Sequence, residues 1–269
     1  MFEIKQNNEL KYLKLNELEE YGFHVMFSTR IGGFSKPPYE SLNLGFHTSD
    51  ENNLIRKNRE KIYKSLNLSA DNIIFAEQIH SNNIKLVDNS DKGSGVYNYS
   101  SSIKNIDGLI STDSSIILGG LFADCVPIYI MDKSQGYFAL IHAGWKGTFN
   151  NILLETINFF KYNLKSAVKD LLIVMGPSIA QNNYEVSFDL IKKFKDKFDS
   201  DLKYYIKRNN NYWLDLKKLN KSIALDNGIK KENIYISKLC TFERENLFYS
   251  YRRDSGTTGR MAAFITSNR

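Results

Sequence analysis

Cysteine, proline and histidine are all scarce in this sequence. Its 269 residues include two cysteines, four prolines and four histidines. Two cysteines, Cys125 and Cys240, cannot supply the disulfide framework of a small secreted domain. There is also no proline-rich linker and no internal repeat. We therefore predict a single domain over residues 1–269.

Long apolar runs are missing as well. The longest apolar stretch, SIILGGLFADCVPIYIM, is interrupted by Asp124 and Pro127 and is too short to span a bilayer. The first residues, MFEIKQNNELKYLKL, contain neither a continuous apolar core nor a small-residue cleavage site. These absences predict a cytoplasmic protein without a membrane partner.

Charge of one sign is not concentrated in any segment. Lysine and arginine total 36 against 30 aspartates and glutamates, which gives a net charge of +6. The lysine-rich segment 192–199 is interleaved with Asp196 and Asp199, which is typical of a solvated helix face. Because clustered basic residues with interleaved aromatics are missing, we expect no nucleic-acid partner. The positive excess still favours anionic small molecules.

The sequence does contain a mixture of helical and strand periodicity. Residues 51–66 place apolar side chains at helical spacing, whereas residues 107–142 form a succession of apolar strands with short breaks. Further helices are predicted at 147–162, 187–199 and 214–227, and further strands at 23–30, 71–80, 84–87, 171–176, 202–206, 233–237, 247–252 and 260–266. Strand-rich blocks with a few helices favour an α+β fold over a regular βαβ array.

Three side chains that bind soft or borderline metals lie at the ends of predicted strands. His80 closes AEQIHS, Cys125 lies in FADCVP, and His142 closes YFALIHA. Zinc accepts two histidines and one cysteine and leaves a fourth position for water, which is the composition of a catalytic site. Two other interpretations stay open: three buried structural residues, or a Cys125 thiolate activated by His142. Of the remaining histidines, His24 lies inside a predicted strand and His47 lies in a loop.

Arginines beside turns point to an anion site. Arg30 precedes the glycine-containing turn IGGFS, Arg252 and Arg253 follow an aromatic segment, and Arg260 closes GTTGR. Glycine-rich turns expose backbone N–H groups, and arginine binds phosphate in a bidentate manner. Taken alone, each loop fits an ordinary surface turn better than an anion site.

The motifs, in their order along the chain, closely resemble those of one known family. They are FSTRIGGFS, the pair Asn58-Arg59, QIHS, DGLIST, ADCVP, HAGWKG, GPSI followed by YEV, and FYSYRRDSGTTGR, from about residue 23 to residue 265. The set resembles the laccase-domain family, whose members are also called polyphenol oxidoreductases, peptidoglycan-editing factors and FAMIN-type purine nucleoside phosphorylases.

This resemblance implies a fold and an activity. The family fold is a single α+β unit of mixed β-sheets between helical layers, similar to the catalytic domain of cytotoxic necrotizing factor. Its metal-binding triad corresponds to His80, Cys125 and His142. The implied reactions are zinc-dependent phosphorolysis of adenosine, inosine and methylthioadenosine to base and ribose 1-phosphate, and adenosine deamination. The implied partners are purine nucleosides and inorganic phosphate.

Roles for individual residues follow from the same resemblance and from their chemistry. Cys125 and His142 are expected to take part in catalysis as well as to bind the metal, and Asp124 and Glu185 are candidates for proton transfer. Contacts to phosphate or nucleoside are expected from four basic residues, Arg30, Arg253, Arg260 and Lys146. Lys146 stands where the family usually has the arginine of HAGWRG, so a bidentate contact is lost there.

Three other functions remain compatible with the sequence. One is a thiol hydrolase or amidase that uses Cys125 and His142 on peptidoglycan precursors or protein amides. Another is a copper-dependent polyphenol oxidase, although four histidines suit one zinc ion better than a cluster of several coppers. The third is a non-catalytic partner protein.

Overall fold

The computed structural model describes residues 2–7, 9–199 and 203–268. Its strands are Glu3–Asn7 (β1), Leu10–Leu15 (β2), Phe23–Ser28 (β3), Ile73–Phe75 (β4), Ile84–Leu86 (β5), Gly108–Ser111 (β6), Ile117–Phe122 (β7), Val126–Asp132 (β8), Phe138–Ala143 (β9), Leu171–Met175 (β10), Glu185–Val186 (β11), Tyr205–Arg208 (β12), Asn211–Leu214 (β13), Ile234–Ile236 (β14) and Met261–Ser267 (β15). Its α-helices are Asn52–Leu66 (α1), Trp145–Phe149 (α2), Ile152–Asn158 (α3), Phe188–Lys197 (α4) and Leu216–Asp226 (α5).

The strands form two large mixed sheets and one small antiparallel sheet. The first sheet has the order β1-β2-β3-β15-β7-β4, the second β14-β10-β8-β9-β6-β5, and the third β11-β13-β12. Strands β4 and β7, β5 and β6, and β10 and β14 pair in parallel. The other neighbours in the two large sheets are antiparallel.

The two large sheets face each other across the main hydrophobic core. Along β7, Leu118 and Phe122 point into this core, whereas Ile117 and Leu121 point to the opposite face. This alternation is the period of two that a strand imposes on its side chains. Tyr129 of β8 reaches the same core from the second sheet. Apolar residues on both inner faces therefore hold the sheets together.

Helices cover the outer face of each large sheet. Helix α1 packs Tyr63 onto the first sheet, where its ring centre lies 6.0 Å from that of Phe264. On the second sheet, Ile157 of α3 and Leu219 of α5 pack with strands β8, β9 and β10. The layers thus run helix, sheet, sheet, helix, which confirms the predicted α+β fold. None of the helices in the described ranges has the length and apolar character that crossing a membrane requires.

Most of the predicted elements are confirmed. The predicted helix 51–66 corresponds to α1, and the segment 107–142 contains β6 to β9. The predicted helix 147–162 is divided, because Asn151 between α2 and α3 adopts a left-handed φ of 61°. The predicted strand 202–206 has residue 202 outside the described ranges, and β12 begins at residue 205.

The predicted strand at 247–252 is wrong. This segment ends in turns, and its polar groups bind separate partners instead of a neighbouring strand. The Tyr249 hydroxyl donates to the carbonyl of Tyr39 at 2.6 Å. The Ser250 hydroxyl and the Arg252 N–H donate to the carboxylate of Asp124. The aromatic residues in this segment reflect burial of a loop, and composition alone does not distinguish the two cases.

Strand pairing in the second sheet brings the predicted metal-binding residues together. Strand β9 lies between β8 and β6. Pro127 of β8 is opposite His142 of β9, which puts Cys125, two residues before Pro127, beside the end of β9. Asp107 directly precedes β6, on the other side of β9. One end of the sheet therefore carries these side chains.

Candidate metal centre and its cavity

His80, Cys125 and His142 meet at this end of the second sheet. Their ligand atoms all lie within 4.8 Å of one another, and Sγ of Cys125 is 4.0 Å from Nε2 of His80. The two imidazole rings are tilted by 72°, with centres 4.7 Å apart. Among the residues that the structure describes, this is the one group of three or more His, Cys, Asp or Glu side chains that could hold a metal ion.

A single carboxylate, that of Asp107, holds both histidines. Its Oδ1 lies 2.9 Å from Nδ1 of His142, which leaves Nε2 of that ring for the cluster. The backbone N–H groups of Ile79, His80 and Ser81 donate to the same carboxylate at distances of 3.1, 2.9 and 2.7 Å. These bonds fix His80 at a φ of 65°, a left-handed conformation uncommon outside glycine. Asp107 thus orients one histidine through its ring and the other through its backbone.

Gly144 leaves the space that the cluster needs. A Cβ atom at this position would lie 2.8 Å from Sγ of Cys125 and 3.2 Å from Cδ2 of His80. Both distances are shorter than ordinary van der Waals contact, so a larger residue would push the two ligands away. The glycine of HAGWKG therefore helps to set the geometry of the candidate metal centre.

The charges of the protein chain, without any bound metal, favour the thiolate form of Cys125. Burial raises the pKa of the Cys125 thiol, but the neighbouring His142 and His80 outweigh burial and lower this pKa to about 6. Burial lowers the pKa of His142, whereas Cys125 and Asp107 outweigh it and raise that pKa to about 9. Thiolate is the form of cysteine that binds metals and attacks carbon, so this arrangement suits either chemistry.

A cavity of about 470 Å³ opens beside the cluster. Besides the three ligands, it is lined by His47, Glu77, Gln78, Tyr99, Leu121, Ala123, Asp124, Trp145, Lys146, Tyr184, Tyr251, Arg252 and Arg260. A second cleft of similar volume, about 490 Å³, lies on the outer face of the first sheet and includes His24. The described residues of that cleft contain no metal-binding cluster, so we place the candidate site in the first cavity.

A known protein family matches nearly the whole chain. The model of the family described as multi-copper polyphenol oxidoreductase laccase matches residues 24–268. The chain belongs to this family. The resemblance expected from the motifs is therefore confirmed.

Relatives of this laccase-family chain include proteins with a named activity. A purine nucleoside phosphorylase of Bacillus subtilis, YlmD, is 38% identical over 242 residues, which cover 89% of this chain and 86% of that protein. The crystal structure of YlmD from Geobacillus stearothermophilus has a TM-score of 0.94 and 31% identity, and the match covers 99% of each chain. A Bacillus licheniformis hypothetical protein, YfiH, has a TM-score of 0.93 at 32% identity and covers 98% of this chain and 99% of its own.

The two carboxylates predicted for proton transfer lie in different surroundings in this laccase-family chain. Asp124 borders the cavity, but its carboxylate accepts hydrogen bonds from the Thr241 hydroxyl, the Ser250 hydroxyl and the Arg252 N–H at 2.6, 2.9 and 2.7 Å. Burial raises the pKa of Asp124, and these bonds offset part of that rise. Glu185 is exposed in two depressions outside the cavity. The contacts of Asp124 indicate a structural role.

Two of the predicted phosphate contacts are not brought to the cavity. The guanidinium of Arg30 donates to the carbonyls of Glu40 and Glu245 and lies over the Tyr249 ring, 4.7 Å from its centre. The guanidinium of Arg253 donates to several backbone carbonyls and to Asp254. Both side chains support loops, and the local pattern of arginine beside a turn does not show this.

Two other predicted basic residues, Arg260 and Lys146, do line the cavity, as does Asp124. The cavity's further lining residues that were not predicted as site residues include Glu77, Gln78, Tyr99, Leu121, Ala123, Trp145, Tyr184 and Tyr251. Arg252 reaches the cavity, although Arg253 was the expected residue of the pair. Asp107, Trp145 and Arg252 lie in motifs that carried the family resemblance, DGLIST, HAGWKG and the terminal arginine-rich segment. Those motifs were the available signal, but which member faces the site depends on strand pairing.

Proposed function

We propose that this chain is a zinc-dependent purine nucleoside phosphorylase that also deaminates adenosine. The observation that supports it most is the cluster of His80, Cys125 and His142 in the wall of a cavity that also contains aromatic rings and basic side chains. The names of the relatives, purine nucleoside phosphorylase, agree with that chemistry. We propose adenosine, inosine and methylthioadenosine as substrates.

The donor set fits zinc. Zinc binds histidine nitrogen at about 2.1 Å and cysteine sulfur at about 2.3 Å, so tetrahedral ligand atoms lie about 3.5 Å apart. The atoms of His80, Cys125 and His142 lie within 4.8 Å of one another, and a small inward movement reaches this spacing. The Asp107 bond to His142 is the type of contact that orients zinc-binding histidines.

The donor set does not fit a cluster of several coppers. The chain has four histidines, and two of them, His24 and His47, lie outside the triad. Multicopper oxidation needs more imidazole ligands and a chain of ligands for electron transfer. The family description therefore does not define the reaction of this chain.

The side chains of the cavity suit a nucleoside. Tyr99, Trp145, Tyr184 and Tyr251 offer ring faces on which a purine can stack. Phosphorolysis joins a phosphate oxygen to C1′ of the ribose and breaks the C1′–N9 bond, whose electron pair leaves with the base. The base takes up one proton, and the products are free purine and ribose 1-phosphate. When bound, zinc would supply Lewis-acid activation, which deamination of adenosine by water requires.

The experiment is a product analysis with zinc-loaded protein. Inosine is incubated with and without inorganic phosphate, adenosine is incubated in the same two buffers, and products are separated by chromatography. We expect hypoxanthine and ribose 1-phosphate from inosine only with phosphate. From adenosine we expect inosine and ammonia without phosphate, and adenine and hypoxanthine in addition when phosphate is present. Cys125→Ala is the inactive comparison, and Cys240→Ser, outside the cluster, is the matched cysteine control. Release of base without phosphate would indicate a hydrolase instead.

One contact pattern favours a second function, a thiol hydrolase. Asp107, His142 and Cys125 follow one another as acid, imidazole and thiol, which is the arrangement of a cysteine nucleophile with its base and orienting carboxylate. Metal analysis of protein purified without added metal separates the two functions. About one zinc per chain supports the phosphorylase, whereas metal-free protein whose Cys125 is rapidly alkylated supports the hydrolase.

A further inference from the structure

The cavity contains two groups of basic side chains. Arg260 lies near His47, and Lys146 and Arg252 lie near the rings of Trp145 and Tyr184. Phosphorolysis needs one binding site for phosphate. The existing contacts of each basic group show which group has donors free to bind it.

Arg260 has guanidinium donors that the protein does not use. Its Nη1 donates to the carbonyls of Thr258 and Gly259 at 2.7 and 3.0 Å. Within the described residues, no carboxylate forms an ion pair with Arg260, and its remaining hydrogen bonds leave Nε and Nη2 available. The partly buried guanidinium is attracted to Cys125 and Asp124 without a direct ion pair, so its charge is only partly balanced and an anion from solution would add to that balance.

His47 is held beside Arg260 by the loop that contains Gly45. A Cβ atom on Gly45 would lie 2.7 Å from Cγ of Arg260 and 3.3 Å from Cε1 of His47, so both side chains border the space that the missing side chain leaves. The Arg260 N–H donates to the side chain of Asn43 at 2.9 Å, and the carbonyl of Arg260 accepts from the Leu44 N–H at 3.1 Å. These contacts keep the imidazole and the guanidinium at the same part of the cavity wall.

The second basic group is less suited to a small anion. Arg252 donates through Nη1 to the carbonyl of Glu185 at 2.7 Å, and its guanidinium lies 5.0 Å from the Tyr184 ring centre. It also borders the two depressions outside the cavity. Lys146 is exposed, with Nζ 5.6 Å from the Trp145 ring centre. Arg260 also lies near a ring, 5.6 Å from the Tyr251 ring centre, so ring proximity does not separate the two groups. Arg252 and Lys146 are exposed, whereas Arg260 is partly buried, so solvent screens a bound anion less at Arg260.

We propose that Arg260 and His47 form the oxyanion subsite of this cavity and that its ligand is inorganic phosphate. The guanidinium supplies charge and two directed donors, and the imidazole adds one N–H donor. The proposal rests on the phosphorylase function above. The same subsite chemistry could hold the phosphate group of a nucleotide, and the experiment distinguishes these sources.

The kinetic test compares wild-type protein with Arg260→Met, Arg260→Lys and His47→Gln in inosine phosphorolysis at varied phosphate. Loss of a charge-assisted contact predicts that KM for phosphate rises roughly ten- to a hundredfold in Arg260→Met. We expect smaller rises in the other two variants, and a larger change in KM for phosphate than in KM for inosine. Arg56→Met, on the exposed side of α1, is the matched arginine control and should keep the wild-type value. Zinc content is measured for each protein.

A binding measurement tests the subsite independently of catalysis. Inorganic phosphate should raise the Tm of the wild-type protein in a concentration-dependent way, and this rise should be lost in Arg260→Met. Inosine 5′-monophosphate is the second ligand. If it stabilises the protein through Arg260 and inorganic phosphate does not, the subsite serves a nucleotide and our assignment is overturned.

The other outcomes are equally decisive. If wild-type protein cleaves inosine with phosphate but Arg260→Met and His47→Gln keep the wild-type KM, the subsite is wrong and the proposed function stands. A rise in KM for phosphate in Lys146→Met alone would place the anion at the second basic group. If phosphate binds through Arg260 but no nucleoside is cleaved, the subsite is supported and the proposed function fails.

Discussion

Oδ1 of Asp107 lies 2.9 Å from Nδ1 of His142, and the same carboxylate binds the backbone of the segment that carries His80. Two candidate metal ligands, 62 positions apart in the chain, are thereby held by one side chain. The carboxylate is buried, so water does not compete strongly for these bonds. The spacing of the two imidazoles thus depends on a residue that does not itself reach the metal position.

The first prediction follows from this contact. Asp107→Asn replaces one carboxylate oxygen by an NH2 group, which cannot accept from the N–H groups of residues 79–81 or from His142. We expect zinc affinity to fall roughly 10- to 100-fold, as is typical when the partner of a metal-binding histidine is removed. Competition with a chromophoric chelator measures the affinity.

Asp113→Asn is the matched control for this prediction. Asp113 lies just beyond the other end of β6, and its carboxylate accepts from Ser115 and Asn89 instead of from the segment that carries the histidines. We expect its zinc affinity to equal that of the wild type. Equal affinities for Asp107→Asn and Asp113→Asn would mean that the histidines do not need the carboxylate.

The second prediction concerns Gly144. In Gly144→Ala, the added methyl group would lie 2.8 Å from Sγ of Cys125, so the thiolate or the helix start must move. We expect less zinc per chain after purification, measured by elemental analysis. Gly93→Ala is the comparison, because nothing lies within 4 Å of its added methyl and only its φ of +80° opposes the change. That variant should lose some stability and keep its zinc, whereas full zinc content in Gly144→Ala would contradict the crowding argument.

The third prediction tests whether three side chains share one ion. Replacing His80, Cys125 or His142 by alanine should sharply reduce zinc content and abolish deamination of adenosine. Cys240→Ser should keep the metal, because Cys240 accepts from the Ala180 N–H at 3.2 Å, and a serine oxygen can accept the same bond. Full zinc occupancy in Cys125→Ala would rule out the triad.

Local sequence patterns predicted most helices and strands of this fold. The arrangement of side chains in the candidate site depends on pairing between strands that are distant in the sequence. Apolar residues at helical spacing indicated α1, and the strands of 107–142 could be read from their apolar runs. The three residues of the candidate metal centre were predicted from their donor chemistry and the family motifs. Asp107 was not, because its contact with His142 arises only when β6 and β9 pair side by side.

The arginines predicted to contact phosphate also depend on long-range contacts that the local sequence does not contain. Arg30 beside a glycine turn and Arg260 after one have equivalent local patterns in the sequence. In the fold, the guanidinium of Arg30 donates to backbone carbonyls of two loops, whereas Arg260 lines the cavity. Which donors stay free depends on contacts between residues more than 200 positions apart, and no local pattern contains that information.

The last prediction separates structure from catalysis at Asp124. This carboxylate is 7% exposed, and it joins the loop before β8 to Thr241, Ser250 and Arg252. Asp124→Ala leaves these three donors without their acceptor, at a cost of about 3–5 kcal/mol in the free energy of unfolding. For a chain of this size the Tm should fall by roughly 6–20 °C.

Two variants complete this experiment. Asp124→Asn keeps the volume and one acceptor oxygen, so we expect a smaller fall in Tm. Glu185→Gln, the other carboxylate predicted for proton transfer, is exposed and should leave Tm unchanged. Thermal unfolding and kcat are measured on the same zinc-loaded samples. If Asp124→Asn keeps the wild-type Tm and loses kcat, Asp124 moves a proton; if Tm falls and the folded fraction keeps its turnover, the carboxylate holds the loops around the cavity.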